Sequence, residues 1–202
     1  MDYPPTIGSN PEYLAYDLLI LHHPPVAPPE IPAYVIHSNW DRLPGGACDA
    51  LADTLGIGTD GVLDEKAGLG RIGSPHSGPV PLVRFVWEVL GALNVPEVRV
   101  VNFQKDRLIR RVALVSGFGL NPALIRTAHE QGADLFLSGD LTHPGAMLAK
   151  ELGIVLVDAS HHSTEMPGLY RLGELLSEIG PAIRVNDTGI PWHVISKTNL
   201  LK

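Results

Sequence analysis

The residues of this sequence that could do chemistry together are His22, His23, His37, His143, His161, His162, Asp41 and Glu165. All are imidazoles or carboxylates, and no thiolate joins them. Mixed nitrogen and oxygen donors suit zinc, manganese, iron, cobalt or nickel. Two carboxylates able to bridge, with three or more imidazoles, suit a two-metal site. The ions of such a site lie about 3.5–4 Å apart, activate a water and clamp an oxygen. The competing reading is that these groups cap helices and satisfy loops. Their arrangement favours the metal. His76, His129 and His193 lack comparable neighbours and read as surface or loop histidines.

The arrangement begins at His22-His23, which follows Leu18-Leu19-Ile20-Leu21 and precedes Pro24-Pro25. A short apolar run bounded by turn formers reads as a buried strand, and the prolines stop it. Two imidazoles then stand at the strand's C-terminal edge, where open α/β sheets place ligand sites. Adjacent side chains on an extended strand point to opposite faces. Two ligands for one ion therefore require a backbone turn at the pair, or else they serve two ions. A second strand over 33–36 runs into His37 and, four residues on, Asp41.

The second half of the chain rhymes with the first. Asp134-Leu135-Phe136-Leu137-Ser138 leads to His143-Pro144, and a strand over 154–157 leads to His161 and, four residues on, Glu165. Gly45 and Gly168 then precede helices closed by Gly56 and Gly180. A histidine and a carboxylate at i and i+4 share a face if the segment is helical. Two halves facing across a pseudo-twofold axis would bring their histidines and carboxylates to one central site.

The elements that must position these groups alternate. An extended arm over 1–11 precedes the first strand, and the proline-rich stretch 26–32 is a loop. Helices are expected over 47–55, from about 79 to 93, and over 122–131, 146–152 and 169–179. Strands are expected over 98–103, 111–115, 134–137, 154–157, 183–186 and 192–195. Short apolar strands alternating with short helices imply an α/β architecture with mainly parallel pairing.

Composition excludes several function classes. Apolar runs fall far short of the ~20 residues a membrane span needs, and the first residues show neither the basic nor the apolar region of a signal peptide. One cysteine, Cys48, cannot close an intrachain disulfide, which fits a reducing cytoplasm. A net charge of −7, with no basic cluster beyond residues 107–111, argues against a nucleic-acid partner. Asp158, Ser160 and His161 lie close in sequence, but a catalytic triad is recognised by geometry and not by proximity. Gly68, Gly70 and Gly73 match the dinucleotide spacing without an evident strand before or helix after, and Pro75 follows at once. That segment reads as a glycine loop with Arg71 available for an anion. Cys48, on an expected helix with no charged activator, reads as a structural thiol.

Taken together, the motifs resemble the Nif-three-like dinuclear-metal proteins, often labelled type-two GTP cyclohydrolase one. The resemblance covers nearly the whole chain. It is carried by the strand into His22-His23-Pro24, by His37 to Asp41 followed by Gly45-Gly46-Ala47-Cys48-Asp49-Ala50-Leu51-Ala52, and by Gly68 to Gly73. Gly132-Ala133-Asp134 through Gly139-Asp140 adds to it, as does Gly153 to Glu165. By this resemblance His22, His23, Asp41, His161 and Glu165 would hold two divalent ions, with His37 and His143 beside them. The implied fold is two intertwined α/β repeats with mixed sheets, over about 12–103 and about 110–202, assembled as a toroidal homohexamer. Members usually carry a longer stretch before the first His-His strand. Only 21 residues precede His22 here, so the first repeat is expected to be shortened. Members often have asparagine where this chain has Cys48.

Two functions follow from the resemblance. One is a cytoplasmic metal-dependent hydrolase of the GTP cyclohydrolase I type, acting on a nucleotide or related small molecule. In it His37 or His143 would carry the proton, since imidazole titrates near neutrality. The other is an oligomeric metal-holding scaffold or regulator without catalysis.

Overall fold

The structure, a computed structural model, describes residues 13–192 and 195. The arm expected over 1–11, the body of the strand expected over 192–195, and His193 lie outside them. The chain forms two compact units. One comprises the described residues up to His37 together with those from Asn186 onward, and the other is Ser38–Val185.

The smaller unit is built on a parallel two-stranded ribbon, β1 (Leu19–Leu21) and β2 (Ala33–Val35), with Leu19 opposite Ala33 and Leu21 opposite Val35. The Ile36 N–H donates to the Leu21 carbonyl at 2.9 Å, which carries the pairing one residue past β2. A 3-10 turn, Tyr13–Ala15, buries Tyr13, whose hydroxyl accepts from Asn186 Nδ2 at 3.0 Å. The strand expected over 183–186 does not form.

The larger unit opens with α1 (Ser38–Arg42) and α2 (Ala47–Thr54), followed by β3 (Ile57–Gly61) and β4 (Arg71–Pro75). Next come β5 (Val80–Pro81), α3 (Leu82–Ala92), β6 (Arg99–Val101), β7 (Leu108–Ile109) and β8 (Val112–Phe118). The last elements are α4 (Pro122–Glu130), β9 (Leu135–Gly139), α5 (His143–Leu152), β10 (Val155–Asp158) and α6 (His161–Ser177). Six strands form one sheet in the order β3-β4-β8-β9-β10-β6. Pairing is parallel for β8-β9 and β9-β10 and antiparallel for the other three neighbours. The sheet is thus mixed, not mainly parallel. Parallel neighbours need a crossover, and only α4 and α5 supply one.

Strand β8 is buried from Val112 to Gly117 because helices cover both faces of the sheet. Its alternate residues serve two cores, as a period of two requires. Val112 and Leu114 pack with Cys48, Leu51, Phe85 and Val89. Ala113 and Val115 pack with Ile125, Ala128, Phe136 and Ala149.

Two helices begin earlier than the sequence suggests. Helix α5 starts at His143, where Thr142 Oγ1 caps the Gly145 N–H at 3.1 Å and Pro144 sits in the first turn, which tolerates it. Helix α6 starts at His161, eight residues ahead of expectation. Ser160 caps it by accepting from the Ser163 N–H at 3.2 Å, and Pro167 lies inside the helix. Packing outweighs the poor propensity of Pro167-Gly168. Trp40 Nε1 donates to the Gly168 carbonyl at 3.1 Å, and a Cβ on Gly168 would collide with Ala47 of α2. Among the described residues no helix is long and apolar enough to cross a membrane.

Candidate metal centre

In the smaller unit β1 ends at Leu21 and the backbone bends at His22 and His23. That bend meets the condition for two adjacent imidazoles to converge. The His22 and His23 ring centroids lie 5.0 Å apart and His37 lies 5.0 Å and 4.7 Å from them. Each ring offers a nitrogen within 4.8 Å of those of the other two. His22 is buried, and its Nδ1 stands 2.9 Å from the Ile36 carbonyl. A carbonyl only accepts, so Nδ1 carries a proton, and in the neutral ring the lone pair is then on Nε2, the form that ligates a metal. His37 is exposed and completes a set of three imidazoles. It was expected beside the ligands, as a further ligand or behind them, and its ring lies against those of His22 and His23.

In the larger unit β8, β9 and β10 run parallel, so their C-terminal ends share one edge. His161 opens α6 there and Glu165 lies one turn on, with His161 Nε2 2.8 Å from Glu165 Oε1. The other nitrogen, Nδ1, is 2.5 Å from Asp140 Oδ2, just past β9. Burial pulls the His161 pKa down, but the hydrogen bonds and charges of Glu165 and Asp140 outweigh it and hold the imidazole above its usual value. Gly117, at φ +76°, makes room for the pair: a Cβ there would collide with Glu165 Oε1 and lie 3.2 Å from His161 Nε2. Its N–H donates to Thr164 Oγ1 at 3.0 Å, and Ser116 Oγ donates to the Thr164 carbonyl at 3.2 Å, so β8 is tied to the first turn of α6. Asp41, on α1, is a buried carboxylate, a state that needs compensation by a partner or a cation.

The remaining expectations divide. His143 is exposed at the start of α5 and joins neither group. His162 is buried on α6. His76 and His129 are exposed, as expected. Arg71 is not available to an anion. It is buried, with Nε and Nη2 held by Asp49 at 2.6 and 2.8 Å and Nη1 donating to the Gly70 carbonyl at 2.8 Å. Asp49 keeps it charged against the cost of burial. The glycine segment around it runs from a turn into β4 and opens no helix, so it is no dinucleotide loop. Cys48 is a buried structural thiol whose pKa burial pushes up to about 11. Ser160 Oγ bonds Ser163 Oγ at 2.9 Å and serves as a cap, not as a nucleophile.

Gly117 and Thr164 were not singled out from the sequence, and Asp140 and Asp158 were named there only in the resemblance and in the discounted triad, not as neighbours of the metal ligands. The signal for one of them was present, since Gly139-Asp140 directly follows a strand.

The Duf34/NIF3 (NGG1p interacting factor 3) family model matches residues 25–199. A protein of Methanothermobacter thermautotrophicus named GTP cyclohydrolase 1 type 2 homolog is 47% identical over 178 residues, which cover 88% of this chain and 74% of that protein. One of the same name from Methanocaldococcus jannaschii is 33% identical over 179 residues, covering 80% and 71%. Among solved structures, reduced HcgD from Methanocaldococcus jannaschii superposes with a TM-score of 0.73 at 32% identity, covering 87% of this chain and 77% of that one. A Bacillus cereus protein related to NIF3 gives a TM-score of 0.73 at 19% identity over 85% and 79%, a likeness of fold alone. With the match extending from just past the His22-His23 bend to beyond α6, this chain belongs to the Duf34/NIF3 family.

Proposed function

We propose that this chain is a dinuclear metal-binding protein that works as a metal-dependent hydrolase on a nucleotide or related small molecule. The observation that carries the metal is the convergence of His22, His23 and His37 nitrogens within 4.8 Å. Three close imidazoles repel one another when protonated and, when neutral, present lone pairs to a cation. The proposed ligands are His22, His23, Asp41, His161 and Glu165, with His37 as a further ligand or proton carrier and His143 as a proton carrier from the exposed start of α5. Two divalent ions, of zinc, iron, manganese, cobalt or nickel, would supply Lewis acidity and an activated water when bound. Glu165, buried and one turn from His161, would balance their charge. The nucleotide rests on the name that the Methanothermobacter relative carries.

The sequence rhyme supports the two-repeat organisation, over about 12–103 and about 110–202. So does the structure's placing both Asp41 and Glu165 on helices, each four residues after a histidine. A cytoplasmic homohexamer completes this reading, by resemblance.

One observation favours the alternative, a metal-holding scaffold or regulator. Asp49 occupies Arg71, the anion contact expected from the sequence. The deciding experiment incubates metal-reconstituted protein with GTP and a panel of nucleotides and small amides, with formate and ring-opened products as readouts. Turnover abolished by chelator and restored by metal supports the hydrolase. Metal-replete protein without turnover on any member supports the scaffold. Light scattering at micromolar protein tests the assembly, and a monomer contradicts it.

A further inference from the structure

We infer that Asp140 is a positioning residue, whose carboxylate fixes the tautomer and orientation of His161 so that Nε2 is presented beside Glu165. The inference rests on the metal-binding reading above and adds to it a residue outside the ligand set. The geometry is direct: Asp140 Oδ2 lies 2.5 Å from His161 Nδ1, and Glu165 Oε1 lies 2.8 Å from Nε2. The two carboxylates therefore hold opposite edges of one ring. An ion bound at Nε2 beside Glu165 is on the far side from Asp140, so Asp140 acts through the imidazole and not as a ligand. Glu165 Oε1 accepts from Nε2 when no ion is bound. With Asp140 accepting at Nδ1, that nitrogen would keep its proton when an ion replaces the Nε2 proton, and the ring would then offer its lone pair from Nε2.

The surrounding backbone is arranged to make this contact. Asp140 adopts φ +59° and Ser160, which precedes His161, adopts φ +71°. Both φ values are positive, a half of backbone space that residues other than glycine enter at a cost. Gly139 allows α6 to start on the end of β9, because a Cβ there would collide with the His161 backbone nitrogen. One buried carboxylate holds both turns in place. Asp158 Oδ2 accepts from the Leu141 N–H at 3.2 Å, and Oδ1 accepts from the Ser160 N–H at 3.0 Å. Arg99 pairs with Asp158. The residue after Asp140 and the residue before His161 are thus clasped by the same side chain.

The test compares the whole protein with Asp140→Asn and Asp140→Ala. Asparagine tolerates the left-handed backbone and can still accept a hydrogen bond, but lacks the charge. Alanine lacks both. Zinc affinity is measured by competition with a chromophoric chelator, and the His161 ring is followed by nitrogen-15 NMR of the zinc-loaded protein. The expected affinity losses are about tenfold for asparagine and up to about 100-fold for alanine. The exchange-protected Nδ1 proton of His161 should persist in the parent and vanish in Asp140→Ala, while thermal unfolding shows both variants folded. Parent protein that binds zinc, with both variants unchanged in affinity and ring signal, overturns the inference. Parent protein that binds no divalent ion overturns the metal reading instead. If Asp140→Ala fails to fold, Asp140→Asn decides: a tenfold loss supports the inference and an unchanged affinity refutes it.

Discussion

His161 and Glu165 stand one helical turn apart at the start of α6, with 2.8 Å between Nε2 and Oε1. The i, i+4 spacing in the sequence becomes a contact because the segment is helical from His161 onward. His162 lies about 100° further round the same helix and is buried.

Glu165→Gln is therefore expected to damage metal binding and hydrolysis more than His162→Ala. Gln keeps the size of Glu but removes the charge that lets two cations approach each other. Loss of His162 removes at most a contact behind the ligands, worth about 10–100-fold. Metal stoichiometry and hydrolytic rate for both variants, with thermal unfolding as the control, check the ranking. If His162→Ala strips the ions and Glu165→Gln keeps both, the ligand is His162.

Gly117→Ala separates the site from the fold. Its φ of +76° makes any side chain strained, at about 1–2 kcal/mol, and the new methyl must push Glu165 Oε1 off His161. The expected outcome is a modest fall in unfolding midpoint, with a loss of metal affinity of about tenfold or more. An alanine variant that binds metal like the parent would show that the Glu165 position is not needed.

Cys48 gives a pH signature of its own burial. Its thiol titrates near 9.0 when unfolded and at about 11 when buried in the folded chain. Between those values the folded state holds more protons, so stability falls as pH rises from 9 to 11. The loss from this group is roughly 2–3 kcal/mol. Urea unfolding of parent and Cys48→Ala at pH 8 and pH 10.5 should show the parent losing about 2 kcal/mol more than the variant. Parallel losses contradict the assignment.

The legible parts of the fold were those where local signals agree with packing. The apolar runs at 19–21, 112–115 and 155–157 are strands, and the stretch from Ala47 to Thr54 is a helix. The beginning of α6 was hidden because Pro167 and Gly168 read as breakers, and only the contacts with Trp40 and Ala47 favour a helix through them. The histidines announced themselves by type and spacing. Asp140 was legible only as a carboxylate directly after a strand; its contact with His161 arises through the parallel pairing of β9 with β10, a long-range relation with no local signature. Arg71 misled for the opposite reason: a basic residue among glycines looks accessible, and burial against Asp49 shows only in three dimensions.

The central claim is that these imidazoles and carboxylates hold metal, and metal content measures it most directly. Protein purified without chelator, reconstituted with excess zinc or manganese and desalted, is analysed for bound ions by plasma mass spectrometry. The account predicts about two divalent ions per chain near pH 7.5, with affinity falling below pH ~6, where imidazoles protonate. Fewer than about one ion per chain, in protein whose fold is intact by circular dichroism, would contradict it.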